Sequence, residues 1–479
     1  MDNLESGYNM KNEGSNLTSK DKQNRDYILN ANMWSVVFRI CLPLALYQSL
    51  AQIFKIFDSQ MAAHISSEAV SAVAYLSQLN MAINAVGGGL AVGASLKISE
   101  TYGSGNYQKV KRQVSTLYMI CGVLGAIIIL VFVPFAEPFL KMAKTPDEFI
   151  AVGKTYFIIE IFSLVIMFFN NVYISIERAR GNSKRILNLN VLIIVIKLSL
   201  TAWFVYGLNG DVTSIAIATL LSQLAMFAIA IRNMGGKEGI FGFSIKAIAM
   251  NREVASPMIV ISLPVIVEKF SFAIGKVIVN SMSTGYGALT VGALGISNNI
   301  GGLTTNPQNG FQEGGAAIIS QNLGAKKYDR AFDAFKKILI CNIIIGAVGY
   351  ILTITNLHII SGAFAKNDMV FQAMIEDIYR YEAMGAVALG VHASVMALLY
   401  GYGLMKYTFF VNFMRVFAFR VPVLWFLQNY TNLGNDSVGI VMMISNIGVG
   451  VLSSFIALIE FRKIRKIQRK SEELNLDCN

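Results

Sequence analysis

The sequence predicts an all-α membrane protein with twelve transmembrane helices, arranged as two six-helix bundles that are parallel repeats of each other. Hydrophobic residues make up 54% of the 479 residues and charged residues only 14%, whereas ordinary soluble domains carry roughly 25% charged residues. Apolar runs such as 121–135 and 191–205 contain almost no charge. Such runs approach the roughly 20 residues that a helix needs to cross a bilayer.

The net charge of +11 indicates contact with the lipid bilayer rather than with nucleic acid. Lys and Arg are concentrated at the ends of apolar segments, where they set topology and contact anionic headgroups. The cysteines at 41, 121, 341 and 478 show no CxxC or metal-ligand spacing, so we expect reduced thiols and no metal site. Residues 1–30 are polar and lack a secretory signal pattern, which predicts a disordered cytoplasmic tail.

Twelve apolar segments are candidate helices. They fall near 33–58, 68–98, 115–135, 149–177, 186–207, 212–231, 257–281, 288–321, 337–357, 377–400, 405–429 and 437–461. Basic residues alternate between the connections, so the positive-inside rule places both termini in the cytoplasm of a bacterial cell, with the helices in its inner membrane. The predicted domains are the tail 1–30, a first bundle 31–235, a linker 236–256, a second bundle 257–462 and a basic tail 463–479.

The first half of the chain repeats in the second. A shift of 221 residues superimposes, without a gap, Pro43 on Pro264, Lys55 on Lys276, Gly89 on Gly310, Gly103 on Gly324 and Tyr107 on Tyr328. A shift of 222 places Glu160 on Glu382 and Gly181 on Gly403. Because each copy has an even number of helices, both copies have the same orientation, as in transporters built from two bundles. Two such halves can rock about a central cleft.

Five motifs, three in the first half and two in the second, carry a family resemblance. The first half contains PLALYQSLAQIFKIFDSQ, GGGLAVGASLKISETYGSGNYQKVKR and ERARGNSK, and the second contains PVIVEKFSFAIGKVIVNS and GFQEGGAAIISQNLGAKKYDRA. From about residue 33 to 460 the chain resembles the multidrug and toxic compound extrusion (MATE) family. The resemblance implies antiport, in which a cationic or amphipathic drug leaves as H⁺ or Na⁺ enters.

Charged side chains inside the bilayer are costly, so each is a candidate functional group. Asp58 matches the helix-1 aspartate that the family uses as a proton- or sodium-linked carboxylate. A carboxylate in a low-dielectric cavity can exchange a proton as its access to water changes. Lys55 lies one turn before Asp58, where it either forms an intrahelical ion pair or marks the cleft wall.

Helix 5 departs from the family pattern. The family commonly has Asn and Asp at the positions that hold Lys197 and Thr201 here. The missing acidic residue argues against a sodium site in the first half. Our hypothesis is proton coupling through an Asp58–Lys197 pair.

The second half offers further candidates. Glu382 and Glu268 resemble in position the acidic residues of helices 10 and 7 that some family members use to bind cations. Glu268 lies only four residues after Pro264, about one turn before the position that the family pattern would give it. Lys276 is the repeat partner of Lys55, and Glu160 is the repeat partner of Glu382. As alternatives, Lys269 or Arg380 neutralises the two glutamates structurally, His392 is a structural histidine rather than a proton relay, and Arg415 and Arg420 are helix-packing or interface cations.

Three functions remain open at this level. The first is an ion-driven exporter of small organic molecules, working as a monomer with no cofactor beyond the coupling ion. The second is a flippase for a lipid-linked or polysaccharide precursor, which the lysines at 55, 97, 197 and 276 favour. The third is a membrane-embedded enzyme, such as an acyl or glycosyl transferase. It is disfavoured because the three histidines, at 64, 358 and 392, are far apart in sequence and no HExxH, GxSxG or DxDxDG motif occurs.

Overall fold

The computed structural model describes residues 17–62, 67–142, 147–235, 239–365 and 368–476, and it excludes some side chains within these ranges, among them those of 55–79 and 463–476. The described residues of the first half form eight helices. These are α1 (Ser19–Asn30), α2 (Met33–Ala62), α3 (Ser67–Gly103), α4 (Tyr107–Phe132), α5 (Ala136–Met142), α6 (Asp147–Ala179), α7 (Ser183–Ala202) and α8 (Val212–Gly235). A π-helical turn, Trp203–Gly207, extends α7.

The second half repeats this order of long helices. Its helices are α9 (Ala255–Ser283), α10 (Ala288–Gly324), α11 (Tyr328–Thr355), α12 (Leu357–Ala365), α13 (Met369–Ala383), α14 (Ala386–Gly401), α15 (Met405–Phe417), α16 (Val421–Tyr430) and α17 (Asp436–Leu476). Residues 239–254 join the halves through two short 3₁₀ turns. No strand occurs among the described residues.

Ten spans satisfy a test of length and hydropathy in the part of the chain that the structure describes, if α13 and α14, bent by 50° to each other, count as one. The remaining two are α3 and α10, each 37 residues long. These two helices are repeat equivalents and are rich in glycine, alanine and polar residues, which lowers their hydropathy. Together they complete the predicted twelve-helix fold.

The turns of the two halves are also repeated. Gly181, between α6 and α7, has a φ of +80°, and its equivalent Gly403, between α14 and α15, has a φ of +71°. Only glycine adopts this left-handed conformation without a steric penalty. The repeat found in the sequence is therefore a repeat of backbone conformation as well.

The two halves are joined by two equivalent contact seams, which are the α3–α9 and α2–α10 interfaces. A Cβ atom added at Gly89 would overlap the backbone of Ile266, and one added at Gly310 would overlap that of Ala45. The shift of 221 relates both members of the first contact to those of the second. Small residues therefore occur in these helices because the backbones approach closely, as in other membrane bundles.

The same symmetry extends to the ends of α3 and α10. An added Cβ at Gly103 would overlap the carbonyl oxygen of Gln321, and one at Gly324 would overlap that of Glu100. Glu100 and Gln321 are themselves repeat equivalents. This end of the molecule also carries α1 and residues 239–254, and we call it the linker face. The two halves are in direct backbone contact there, so the space between them is closed at the linker face.

The prediction of a disordered tail over residues 1–30 is wrong for its last twelve residues, which form α1. Asp21 of α1 is fully buried, and its Oδ1 lies 2.6 Å from Nε of Arg180. Arg25 donates to the carbonyl oxygen of Gly103 at 2.8 Å. The sequence did not reveal this helix because only Ile28 and Leu29 are its buried apolar side chains, and polar contacts with distant segments hold the rest in place.

Other predicted limits shift slightly. The second bundle begins at Ala255, two residues before the predicted start, and α17 continues through the predicted basic tail to Leu476. Residues 239–254 pack on the first bundle, where Lys111 Nζ donates to the carbonyl oxygen of Gly239 at 2.7 Å. The cytoplasmic location of the linker face stays a prediction.

A Gly324→Ala substitution is expected to weaken closure of the linker face. The added methyl group would overlap the Glu100 carbonyl, at a cost of about 1–3 kcal/mol, which shifts the closed–open equilibrium roughly tenfold or more toward open. The measurement is the rate at which a water-soluble maleimide labels a Ser99→Cys variant, in which the native cysteines are replaced by serine. Ser99 is buried at the α3–α10 contact.

The matched control is Gly295→Ala, in the same helix. A Cβ atom there meets nothing within 4 Å, so its labelling rate should equal that of the parent. Equal rates for Gly324→Ala and the parent would show that this contact does not hold the linker face closed.

Candidate functional site

The candidate site is a cavity of about 670 Å³ between the two bundles. Helices α2, α3 and α6 line it from the first half, and α9, α10, α13, α14, α15 and α17 contribute from the second, together with Arg420 just before α16. The contact seams and the α3–α10 contacts that close the linker face involve the same central helices, α2, α3, α9 and α10. The cavity therefore lies where these helices separate, and its volume suits a small organic molecule.

Amides dominate the uncharged polar part of the wall. The side chains are those of Gln48, Gln52, Asn84, Asn171, Asn298, Asn299, Asn306, Gln308, Asn309, Gln312, Asn412 and Asn446. Gln52 connects the two halves, because its Nε2 donates to the carbonyl oxygen of Asn299 at 2.8 Å and its Oε1 accepts from Asn306 at 2.9 Å. Since amides both donate and accept, this wall can accommodate varied polar groups.

An ion pair connects the bundles across the cavity wall. Nη2 of Arg178, on α6, lies 2.6 Å from Oε2 of Glu313, on α10, and both side chains are largely buried. Such a pair is stable only while both charges stay together, because either one alone would be a poorly solvated charge. Movement of one bundle relative to the other must therefore separate or carry this pair.

Two carboxylates of the second half face the same cavity. Oε1 of Glu268 accepts hydrogen bonds from the hydroxyl of Tyr400 at 2.7 Å and from Nδ2 of Asn412 at 2.8 Å. Oε2 of Glu268 is buried, and no hydrogen-bond partner for it occurs among the described residues. Glu382 accepts a hydrogen bond from the hydroxyl of Ser297. Each carboxylate thus has an ordered position in the wall, a property that a reversible proton or cation site requires.

The second half also places three cations around one aromatic ring. Nζ of Lys276 lies 5.4 Å from the ring centroid of Phe272, and the guanidinium carbons of Arg415 and Arg420 lie 5.3 and 5.6 Å from it. Lys276 is one turn after Phe272 on α9, so both side chains share a face. Arg415 is on α15, and Arg420 lies at the break before α16.

The predicted second-half residues Glu268, Lys276 and Glu382 are therefore brought together in one cavity. The alternative role for Arg380 is not supported, because its Nη2 lies 3.6 Å from Glu376 instead. Whether the three cavity residues bind an ion or a substrate stays a prediction.

The predicted first-half residues have a different outcome. Lys55 and Asp58 fall on α2, but their side chains lie outside the described residues. Lys197 is half-buried on α7 and Thr201 is buried there, and among the described side chains neither of them lines the cavity. Glu160, half-buried on α6, is also absent from the described wall. The coupling role of these residues stays a prediction.

Four charged residues of the wall were missed by sequence reasoning. Arg178 and Glu313 were quoted only within motifs, and Arg415 and Arg420 were assigned to helix packing or to a membrane interface. The signal for Glu313 was present, because it is an acidic residue within a small-residue span. His392 also lines the cavity, where its Nδ1 is buried without a hydrogen-bond partner among the described residues.

Two duplicated helical bundles that surround a polar cavity, closed at one face by direct backbone contacts, define a membrane transporter of the two-bundle class. The MatE family model matches residues 43–203 and 264–426. The matched segments start 221 residues apart, at Pro43 and Pro264, as the internal repeat requires. The chain belongs to the MatE family, a family of multidrug efflux transporters.

Relatives and solved structures support this assignment. The chain is 21% identical over 414 residues, covering 84% of this chain and 88% of the relative, to the "Probable multidrug resistance protein YoeA" of Bacillus subtilis strain 168. A solved structure described as the outward-facing conformation of a multidrug resistance MATE family transporter has a TM-score of 0.88 and 19% identity, with coverage of 94% and 100%. A transporter from Pyrococcus furiosus described as having reverse polarity of its binding pocket has a TM-score of 0.86 and 18% identity, with coverage of 92% and 98%.

Removal of either partner of the Arg178–Glu313 pair is expected to destabilise the protein. Glu313→Gln should lower the free energy of unfolding by about 2 kcal/mol or more, because it leaves the Arg178 charge buried and unpaired. The double variant Arg178→Gln/Glu313→Gln should lose less than the sum of the single variants, by about 1 kcal/mol. The measurement is the midpoint of unfolding by dodecyl sulfate in mixed micelles.

The control for this cycle is an exposed ion-pair cluster. In it the carboxylate oxygens of Glu137 lie 2.9 Å from Nζ of Lys141 and 3.0 Å from Nζ of Lys154. Glu137→Gln should leave the midpoint unchanged, because exposed pairs contribute little. Strict additivity in the cycle would mean that Arg178 and Glu313 do not interact in the folded protein.

Proposed function

We propose that the chain is a secondary active exporter that moves small amphipathic organic molecules out of the cell by antiport with H⁺. The single observation that carries this proposal is the cavity between the two repeated bundles, closed at the linker face. A relative's description as a multidrug resistance protein supports the export of varied compounds. In this proposal the protein works as a monomer in the bacterial inner membrane with both termini in the cytoplasm, and it requires no cofactor beyond the coupling ion.

Transport in this proposal follows alternating access. A molecule enters the cavity, the bundles rock, and the seams that are closed at one face open while the other face closes. The hydrogen bonds of Gln52 and the Arg178–Glu313 pair must be exchanged in this step, because they join the halves. The free energy for net export comes from proton entry, which changes the charge of a carboxylate within the membrane and so biases one conformation.

The proposed proton carrier is Asp58, with Lys197 as its cationic partner. Helices α2 and α7, which carry these residues, are packed neighbours, so an interaction between them is compatible with the fold. Thr201 takes the place of the family aspartate, which argues for H⁺ over Na⁺. Glu268 and Glu382 are the alternative carriers, because they lie in the cavity wall.

A flippase for a lipid-linked or polysaccharide precursor is the second candidate. It is favoured by the cations around Phe272, since phosphate groups bind to clustered Lys and Arg. A long precursor would require lateral access to the cavity from the bilayer, which a soluble drug does not.

Cells that produce the protein are expected to accumulate less of at least one of two dyes, cationic ethidium and anionic fluorescein, than cells with an empty vector. A protonophore should abolish the difference, because it removes the driving gradient, while replacement of Na⁺ by choline should leave it unchanged. The measurement is intracellular dye fluorescence over time. Accumulation of both dyes that does not depend on expression, with a protein that is shown to be in the membrane, would exclude this proposal.

Asp58→Asn and Lys197→Asn are each expected to abolish proton-driven efflux from proteoliposomes while substrate exchange between the two sides continues. Exchange needs no net ion movement, so its survival separates coupling from substrate binding. Glu382→Gln and Glu268→Gln test the alternative carriers in the same assay, and Glu137→Gln is the control. Unchanged proton-driven efflux by Lys197→Asn would contradict the proposed pair.

A further inference from the structure

Two of the cations around Phe272, Arg415 and Arg420, retain hydrogen-bond donors without an acceptor among the described residues. A guanidinium group has five N–H donors. Nη2 of Arg415 donates to Oδ1 of Asn446 at 2.9 Å, and Nε of Arg420 donates to Oγ of Ser445 at 2.9 Å. Both acceptors are neutral. Nε of Arg415 is buried, and it has no acceptor among the described residues. These two side chains are therefore only partly satisfied by their own protein.

Neither arginine contacts a carboxylate among the described residues. The ion pairs of those residues include neither Arg415 nor Arg420, although Arg178 in the same wall pairs directly with Glu313. Glu382, which also lines the cavity, interacts with both arginines only at longer range, and it accepts a hydrogen bond from Ser297. Arg420 is buried and Arg415 is half-buried. Since charge-assisted pairing is the usual fate of an arginine that is largely removed from water, two such side chains without a contacting carboxylate indicate that an anion is supplied from elsewhere.

The charges of the described cavity wall also favour an anionic ligand. Among the described side chains that line it, five are cationic (Arg178, Lys269, Lys276, Arg415, Arg420) and three are carboxylates (Glu268, Glu313, Glu382). Like charges repel strongly where water is scarce. A cationic molecule would add to the repulsion around Phe272, whereas an anion would relieve it.

We propose that Lys276, Arg415 and Arg420 bind the carboxylate, sulfonate or phosphate group of an exported organic anion, whose aromatic body packs against Phe272 in the cavity. The inference deepens the proposed export function, and its statement that the bound anion is exported rests on that function. The planar guanidinium groups fit the paired oxygens of such anions. The amide wall then contacts the rest of the molecule. This assigns the protein a substrate charge opposite to that implied by the family resemblance.

Fluorescein and rhodamine 6G test the charge preference, because they share a xanthene ring system and differ in charge. The purified protein in detergent should bind the anionic dye more tightly than the cationic one, as measured by fluorescence polarisation against empty micelles. Arg415→Gln and Arg420→Gln should each raise the fluorescein Kd by about ten- to a hundredfold, the value of one charged hydrogen bond. Rhodamine 6G binding should stay equal or improve.

Two controls separate anion binding from a structural role. Arg415→Lys keeps the charge and should recover part of the fluorescein affinity. Lys336→Gln removes a lysine that lies 4.7 Å from the Phe332 ring centroid on an outer helix, and it should change neither Kd. An equal loss of both dyes in Arg415→Gln and Arg420→Gln, or a wild-type protein that binds rhodamine 6G but not fluorescein, would overturn the inference.

Transport of the same dyes from proteoliposomes distinguishes this inference from the export proposal. Release of fluorescein that Arg415→Gln abolishes supports both. Release of rhodamine 6G alone overturns the anion site and leaves export intact. Arginine-dependent fluorescein binding without release of either dye supports the anion site and overturns export. If neither dye is bound or released, both fail.

An experiment with a labelled lipid identifies whether the anionic group belongs to a lipid or to a soluble molecule. Vesicles that contain a nitrobenzoxadiazole-labelled phosphatidic acid report its movement between leaflets by dithionite quenching. Arginine-dependent movement of this lipid supports the anion site with a lipid phosphate as its ligand. Arginine-dependent fluorescein release with an immobile lipid supports the anion site with a soluble organic anion as its ligand.

Discussion

Close backbone contact between the two halves is the constraint on which the rest of the structure depends. Gly89 against Ile266 and Gly310 against Ala45 leave no room for a Cβ atom, so α3 and α10 must present small residues where they meet the other half. That requirement explains why α3 and α10 are the two spans with low hydropathy. They can carry so few large apolar side chains because protein, rather than lipid, surrounds them. The same four helices separate beyond the seams and form the cavity. The packing of these helices therefore determines both where the molecule is closed and where the cavity lies.

The duplication determines the arrangement of the helices around the cavity but not which side chains line it. The shift of 221 places Tyr47 on Glu268 and Gln48 on Lys269, and all four side chains line the cavity. In each pair the first half supplies a neutral side chain and the second half a charged one. Most charges of the described wall therefore come from the second half, whereas the predicted proton pair belongs to the first. Such a division allows ion coupling and substrate binding to occupy different bundles while the shared seams link their movements.

Hydropathy, the Lys and Arg residues between the apolar segments, and the repeat were sufficient to predict the twelve helices and their two bundles. Each of these signals reports directly on lipid contact or on duplication. The sequence could not predict α1, whose burial depends on Asp21 meeting Arg180, a residue of α6. It also could not reveal which face of a span carries its charge. Arg415 could contact lipid headgroups, another helix or the cavity, and only the packing of α15 against α9 and α17 decides this. Glu268 and Glu382 were found because carboxylates have few alternatives inside a membrane.

The charges of the cavity also bear on how the protein changes conformation. While the Arg178–Glu313 pair is intact, each charge is neutralised across the boundary between the bundles. The cations around Phe272 all belong to the second half, so they move as one group and keep their mutual repulsion in every state of the cycle. A bound anion would travel with this group, whereas the inter-bundle pair and the hydrogen bonds of Gln52 would be broken and remade around it. The cost of opening one face is then set by contacts between the halves, and the selection of the substrate by contacts within one half. Because these two sets of contacts share few residues, substrate charge can be changed by substitution at Arg415 or Arg420 without changing the contacts that close the linker face.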